Sequence, residues 1–188
     1  MKDGDTILVP LADGFEEIEA VTIIDVLRRA DLSVTVAGLS AGPIRGAHDV
    51  TFETDCALDE VDPAHVGMIV LPGGMPGTKN LMEDERILGL VRDLFARGHA
   101  TAAICAAPMV LAKAGVLGDA PATSHPSCFD KLGAATVQRD QRVVRSGTIL
   151  TSQGPGTALE FALEIVADLR GPEQAEVLGT AMLASRPG

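Results

Sequence analysis

The sequence predicts a single α/β domain, a mostly parallel sheet with helices on both faces, and three observations predict it. Twenty glycines and short Val/Ile-rich runs alternate with segments of helical periodicity, the rhythm of βα units. Aliphatic residues dominate, aromatics make up only 3% and Trp and Tyr are absent, so the core is aliphatic. The 188 residues suffice for one sizeable core but are short for two. No repeat, low-complexity run or linker divides them, so one domain over 1–188 is expected.

Thr6-Ile7-Leu8-Val9-Pro10 is an apolar run too short for a helix and reads as the first strand. Leu11 to Gly14 turns the chain into a helix over Phe15 to Ala30, whose acidic start (Glu16, Glu17, Glu19) complements the helix dipole. Helical spacing separates these acids. Glu19 falls on the stripe of Ile23, Val26, Leu27 and Ala30, the residues a core would take, while Glu17 shares a line with Val21, Ile24 and Arg28 and is expected to lean outward. A carboxyl on a buried stripe is costly as an anion and tends to keep its proton, which makes Glu19 a candidate functional acid.

Leu32 to Leu39 reads as the second strand, Ser40 to Pro43 as a turn, and Val50 to Glu53 as an edge strand preceded by His48-Asp49. After Cys56 a polar connection runs through Asp62-Pro63. Val66 to Leu71 is the third strand, and its exit is Pro72-Gly73-Gly74-Met75-Pro76-Gly77. Such glycines are either an ordinary tight turn or part of an anion site, because they let backbone N–H groups approach a ligand. Asp84 to Arg97 is a helix that Gly98 stops.

Ala100 to Ile104 is a strand of small apolar residues, followed by a sharp turn at Cys105 and a helix from Met109 to Leu117. Pro108 sits in its first turn, where a missing N–H costs nothing, and Gly115 and Gly118 mark its end. The arrangement is that of a nucleophile elbow with a thiol in place of the hydroxyl. It sets the sulfur at a helix N-terminus, which favours the thiolate. A small buried hydrophobe is the other local reading of Cys105, and both stand at this point.

His125 precedes a proline and is therefore extended. Of the four histidines (His48, His65, His99, His125) it alone follows Cys105, one helix later, so it can return near the sulfur. Arg142 to Arg145 and Thr148 to Thr151 form a hairpin around Ser146-Gly147. Gly154-Pro155-Gly156-Thr157 opens a helix from Ala158 to Leu169 and lacks the Lys-Ser/Thr end of a phosphate loop. Gly171-Pro172 breaks the chain before a last helix, Glu173 to Leu183. Open α/β sheets place their sites outside the carboxyl ends of strands, and Glu19, Gly73-Gly74, Cys105 and His125 each follow a strand at that end.

A net charge of −11 without a Lys/Arg cluster disfavours nucleic acid as a partner, since phosphates need a positive face. A neutral or cationic small substrate is compatible with it, as is an oligomer interface. The charged start, Met1-Lys2-Asp3-Gly4-Asp5, has neither the apolar core nor the cleavage site of a signal peptide, and no apolar run is long enough to span a bilayer. Three cysteines (Cys56, Cys105, Cys128) cannot all pair and show no CxxC spacing, so free thiols in a reducing cytoplasm are expected.

Together, Gly14-Phe15-Glu16-Glu17-Ile18-Glu19-Ala20, Leu71-Pro72-Gly73-Gly74, Ala102-Ala103-Ile104-Cys105-Ala106-Ala107-Pro108, Ser124-His125-Pro126 and Leu150-Thr151-Ser152-Gln153-Gly154-Pro155-Gly156-Thr157 resemble the DJ-1/PfpI (ThiJ) family, most closely its DJ-1-like branch. The resemblance runs over nearly the whole chain. It implies a flavodoxin-like three-layer sandwich, usually a homodimer, with no metal or organic cofactor. It also implies a reactive Cys105 hydrogen-bonded by a protonated Glu19, His125 as the neighbouring histidine, and backbone N–H groups of Gly73, Gly74 and Ala106 facing an oxyanion. DJ-1-like proteins often carry arginine where His48 stands, so this chain departs from the pattern there.

The activity so implied is a glutathione-independent glyoxalase or deglycase, acting on methylglyoxal, glyoxal or glycated substrates through a Cys105 hemithioacetal. A redox sensor or stress-protective protein, oxidised at Cys105 to the sulfinate, is the alternative, with Cys128 either a resolving thiol or structural. Amide hydrolysis fits less well. Peptidase-like relatives place histidine directly after the nucleophile, where this chain has Ala106, and the late His-x-Glu of amidotransferases has no counterpart after His125.

Overall fold

A computed structural model of the chain describes residues 4–184, so the first three residues of the charged start lie outside it. Seven strands form the main sheet in the order β10-β11-β7-β6-β1-β2-β5. They are β1 (Thr6–Leu11), β2 (Val34–Gly38), β5 (Cys56–Ala57), β6 (Val66–Leu71), β7 (Ala100–Ile104), β10 (Val143–Ser146) and β11 (Ile149–Ser152). All neighbours are parallel except the β10–β11 hairpin at one edge. Two short ribbons stand apart from it: β3 (Ile44–Arg45) with β4 (Thr51–Phe52), and β8 (Pro121–Ala122) with β9 (Thr136–Val137).

Both faces of the sheet are covered, which is why its strands read as apolar runs without alternation. On β1, Ile7, Val9 and Leu11 join α1 (Glu17–Arg29) and α5 (Ala158–Arg170) in one core, where Phe161 is fully buried. Leu8 points the other way, into a second core with α2 (Gly77–Glu83), α3 (Glu85–Ala96) and α4 (Pro108–Ala114). The period-2 geometry of a strand thus splits one hydrophobic run between two cores. The last helix, α6 (Pro172–Ala181), packs on α5. The fold is the α/β sandwich expected, helices on both faces of a mostly parallel sheet.

Helix ends follow their local chemistry. Asp84 caps α3 by accepting from the Arg86 N–H, and Gly115 closes α4 in the left-handed region at φ +80. The departures from expectation involve short segments. Val50–Glu53 does not edge the main sheet. Its Thr51 and Phe52 pair with β3 instead, and the edge belongs to Cys56–Ala57 within the stretch read as a connection. Helix α2 was hidden after the Gly-Pro exit of β6, and β9 was not foreseen either. Two-residue strands and a seven-residue helix hold too few positions for periodicity to show.

Strand order reverses between β1 and β6, since β2 and β5 lie beyond one and β7 and β11 beyond the other. Loops leaving neighbouring strands on the two sides of such a switch part to opposite faces, and sites form at their carboxyl ends.

Candidate active site

Cys105 follows β7 directly and holds φ at +64, a conformation costing about 1–3 kcal/mol in a residue with a side chain. Its backbone is pinned on both sides. The Cys105 N–H donates to the Ser152 carbonyl at 3.0 Å, and the Cys105 carbonyl accepts from the His125 N–H at 2.7 Å. Ala106-Ala107 then turn into α4, which begins at Pro108. This is the elbow read from the sequence, and the backbone N–H groups of Gly74 and Ala106 both reach its sulfur.

Glu19 comes from the first turn of α1 and is fully buried, as its place on the Ile23–Val26–Leu27 stripe requires. Its Oε2 accepts from the Gly73 N–H at 2.7 Å, its carboxyl shares a hydrogen bond with the Cys105 thiol, and Oε1 has no hydrogen-bond partner. The Gly73 N–H is therefore already engaged, and the donors left at the sulfur are those of Gly74 and Ala106. Gly73 is glycine for want of room: a Cβ there would fall 2.6 Å from Cys105 Cβ and 2.9 Å from Glu19 Oε2.

Burial pushes the Glu19 carboxyl up from 4.5 to about 7, with the charge of Glu16 adding to it against the pull of the Gly73 N–H and the thiol. Burial also pushes the Cys105 thiol up from 9.0 to about 12, and the Glu19 carboxylate is the next cause. The helix end read from the sequence is present, but withdrawal of the sulfur from water outweighs it. The pair thus holds two protons below about 7 and one above it. When that one rests on Glu19, the charge that raises the thiol is gone and the carboxyl becomes a donor to sulfur.

His125 returns to the cysteine through its backbone. Its ring is exposed, and Nδ1 meets Ser127 Oγ at 2.8 Å and accepts from the Ser127 N–H at 3.3 Å. Cys56 and Cys128 are free, as expected, the first half-buried and the second buried. Glu17 corrects the sequence reading. It does not lean outward but is buried beneath the β3–β4 ribbon, where its Oε1 accepts from the His48 N–H at 2.6 Å. The signal that could have shown this is Gly46, because a Cβ there would meet the Glu17 carboxyl at 2.3 Å. A groove between α5 and α6, lined by Leu159, Leu163, Gly179 and Leu183, contains none of these side chains.

Comparison with known proteins agrees with this fold. Residues 5–168 match the DJ-1/PfpI family. Protein dj-1beta of Drosophila melanogaster is 41% identical over 180 residues, 95% of this chain and 96% of that one. The glutathione-independent glyoxalase DJR-1.2 of Caenorhabditis elegans is 39% identical over 173 residues, 92% of this chain and 91% of that one. The crystal structure of the Drosophila DJ-1beta superposes with a TM-score of 0.93 at 40% identity, covering 97% of this chain and all of that one. Toxoplasma gondii DJ-1, described as oxidized, superposes with a TM-score of 0.92 at 35% identity, covering 97% of this chain and 100% of that one.

Proposed function

We propose a function from one premise: this chain belongs to the DJ-1/PfpI family. The protein is a cofactor-independent enzyme of glyoxalase and deglycase type, converting 2-oxoaldehydes such as methylglyoxal and glyoxal, or their adducts on amines and thiols, to hydroxy acids. The observation that carries this reading is a cysteine sulfur at a strand-to-helix elbow hydrogen-bonded to the fully buried carboxyl of Glu19. A relative named as a glutathione-independent glyoxalase supports it.

In the one-proton state, Cys105 Sγ bonds to the aldehyde carbon while the π pair moves to oxygen. That oxygen takes the proton the pair held, leaving a neutral hemithioacetal and a Glu19 carboxylate. The carboxylate moves the hydrogen from the carbon bearing sulfur to the adjacent carbonyl carbon, and the hydroxyl hydrogen passes between the two oxygens. His125, whose backbone N–H donates to the Cys105 carbonyl and whose ring is exposed, relays that hydrogen or orients the intermediate. The product is a thioester in which one carbon is oxidised and its neighbour reduced, so no outside oxidant takes part. Water cleaves the C–S bond, releasing lactate or glycolate and restoring the one-proton pair. The Gly74 and Ala106 N–H groups face the developing oxyanion, a role worth roughly 3–4 kcal/mol per donor elsewhere. The test is D-lactate formation from methylglyoxal without glutathione, and a wild-type rate in Cys105→Ser overturns the reading.

A second reading uses the same atoms. A peroxide delivers one oxygen to Cys105 and leaves as water, a second repeats the step, and Glu19 donates its hydrogen to the resulting sulfinate. The relative described as oxidized favours it. Mass spectrometry after mild peroxide checks it, and earlier oxidation of Cys56 or Cys128 overturns it. The active form in either case is a homodimer joined through α1, where Ile18 and Val21 are 58% and 45% exposed beside the exposed Val50. Free thiols suit the reducing cytoplasm expected from the sequence. Among the described residues no helix is long and apolar enough to cross a membrane.

A further inference from the structure

Beside the cysteine pair, three side chains from two distant segments converge. Glu16 and Glu17 stand at the start of α1, and His48 comes from the turn between β3 and β4. Nδ1 of His48 lies 2.9 Å from Oε2 of Glu17 and 3.7 Å from Oε2 of Glu16, and one donor atom from each residue lies within 4.8 Å of the others. Tetrahedral zinc bound to histidine nitrogen and carboxylate oxygen at about 2.0–2.2 Å sets its ligands roughly 3.3 Å apart. The observed separations bracket that value.

The arrangement differs from an ordinary solvated acidic patch. Glu17 is only 7% exposed, and its Oε1 is already held by the backbone N–H groups of His48 at 2.6 Å and Val50 at 3.4 Å. Gly46 lies directly against the carboxyl, since a Cβ there would sit 2.3 Å from Glu17 Oε1. One oxygen is thus committed to the β3–β4 ribbon, and Oε2 faces the His48 ring. Backbone N–H groups dock the ribbon, and Nδ1 of the imidazole, which meets Oε2 of Glu17 at 2.9 Å, is the contact an ion would take over. The His48 side chain is 69% exposed in the single chain, and a net charge of −11 draws cations to the surface.

We propose that Glu16, Glu17 and His48 bind a divalent transition-metal ion of the zinc type, with a remaining position for water. One nitrogen and two carboxylate oxygens select such an ion over calcium or magnesium, which prefer all-oxygen shells. The proposed aldehyde chemistry needs no metal, so this site stands or falls separately from it.

Zn²⁺ is titrated into Cys105→Ser protein in competition with a chromophoric chelator, which removes the reactive sulfur as a ligand. The expected result is one Zn²⁺ per chain, with affinity at least tenfold weaker in His48→Ala and in Glu16→Gln and unchanged in the control His65→Ala. Both altered side chains are at least partly exposed, and circular dichroism confirms the fold of each variant. Co²⁺ added to the wild type gives visible d–d bands that His48→Ala abolishes, without the near-ultraviolet band of a thiolate ligand. Absence of Zn²⁺ binding would leave an ion pair only and overturn the proposal. Equal affinity in His48→Ala, or a thiolate band from Co²⁺ at this stoichiometry, overturns it as well.

Discussion

Replacing Glu19 by glutamine tests the electrostatic core of the site without touching the sulfur. The folded carboxyl titrates at about 7 against 4.5 for the ordinary group. Between those values the folded chain keeps a proton that the unfolded chain has released. The stability contributed by this group is therefore fully present below 4.5 and falls as pH rises through the window. The span corresponds to about 3 kcal/mol, at about 1.4 kcal/mol for each tenfold change in proton affinity. Glutamine is nearly isosteric, its oxygen still accepts from the Gly73 N–H, and it does not titrate. Urea unfolding at pH 5 and pH 8 should show the wild type losing about 2–3 kcal/mol more than Glu19→Gln, because other carboxylates cancel in the comparison. Parallel losses in the two proteins would refute the argument. The variant carries a second expectation, since removing the Glu19 charge removes one cause of the raised thiol. Its Cys105, followed by thiolate absorbance in the ultraviolet, should titrate below the wild-type position near 12.

Lactate formation should rise about tenfold per pH unit below about 7 and level above it, because the reactive state appears only when the pair has lost its first proton. Glu19→Gln should flatten that limb and slow the reaction by about a hundredfold or more in kcat/KM. Gly73→Ala should lower stability by about 1–3 kcal/mol and cut activity, since its Cβ would press on the Ile104 carbonyl and Cys105 Cβ, neither of which can swing away. Thermal melting and initial rates check both effects. Val21→Glu places a charge on the exposed face of α1 and should convert the proposed dimer to monomer in sedimentation at micromolar protein, and an unchanged sedimentation coefficient would overturn an interface through α1.

What could be read beforehand was whatever left a periodic trace. The apolar runs of β1, β6 and β7 announced a buried parallel sheet, and the stripe below Glu19 announced a buried acid. Cys105 was legible as an elbow because small residues, a cysteine and a first-turn proline leave the backbone few alternatives. Glu17 was misread for a definite reason. Helical spacing reports the face a residue occupies on its own helix, and the face that looked free is covered by a ribbon arriving from residues 44–52. The grouping of Glu16, Glu17 and His48 was invisible for the same cause, because its third member is brought in by tertiary packing. So was the use of the Gly73 N–H by Glu19, which only the docking of α1 against the β6 exit decides.

The features on which the proposed chemistry rests all oppose folding, and the topology explains why they are tolerated together. A cysteine at positive φ and an acid taken from water each cost free energy, and in an isolated helix or hairpin each would relax. Here Cys105 cannot relax, because its N–H and carbonyl are held by β11 and by the His125 segment, two elements that meet only in the finished sheet. Glu19 cannot turn to water, because α1 is fixed by Ile23, Val26 and Leu27 in the core it shares with α5. The strain is carried by contacts distant in sequence, so it arises only on complete folding. That places the unpaired Oε1 of Glu19 and the half-buried sulfur in a site positioned by the packed core. A reactive pair built this way loses chemistry when the surrounding core is loosened. Cavity-forming changes as remote as Phe161→Ala, expected to cost about 3–5 kcal/mol, should therefore lower kcat/KM even below the melting transition, where a site held only by local turns would be indifferent.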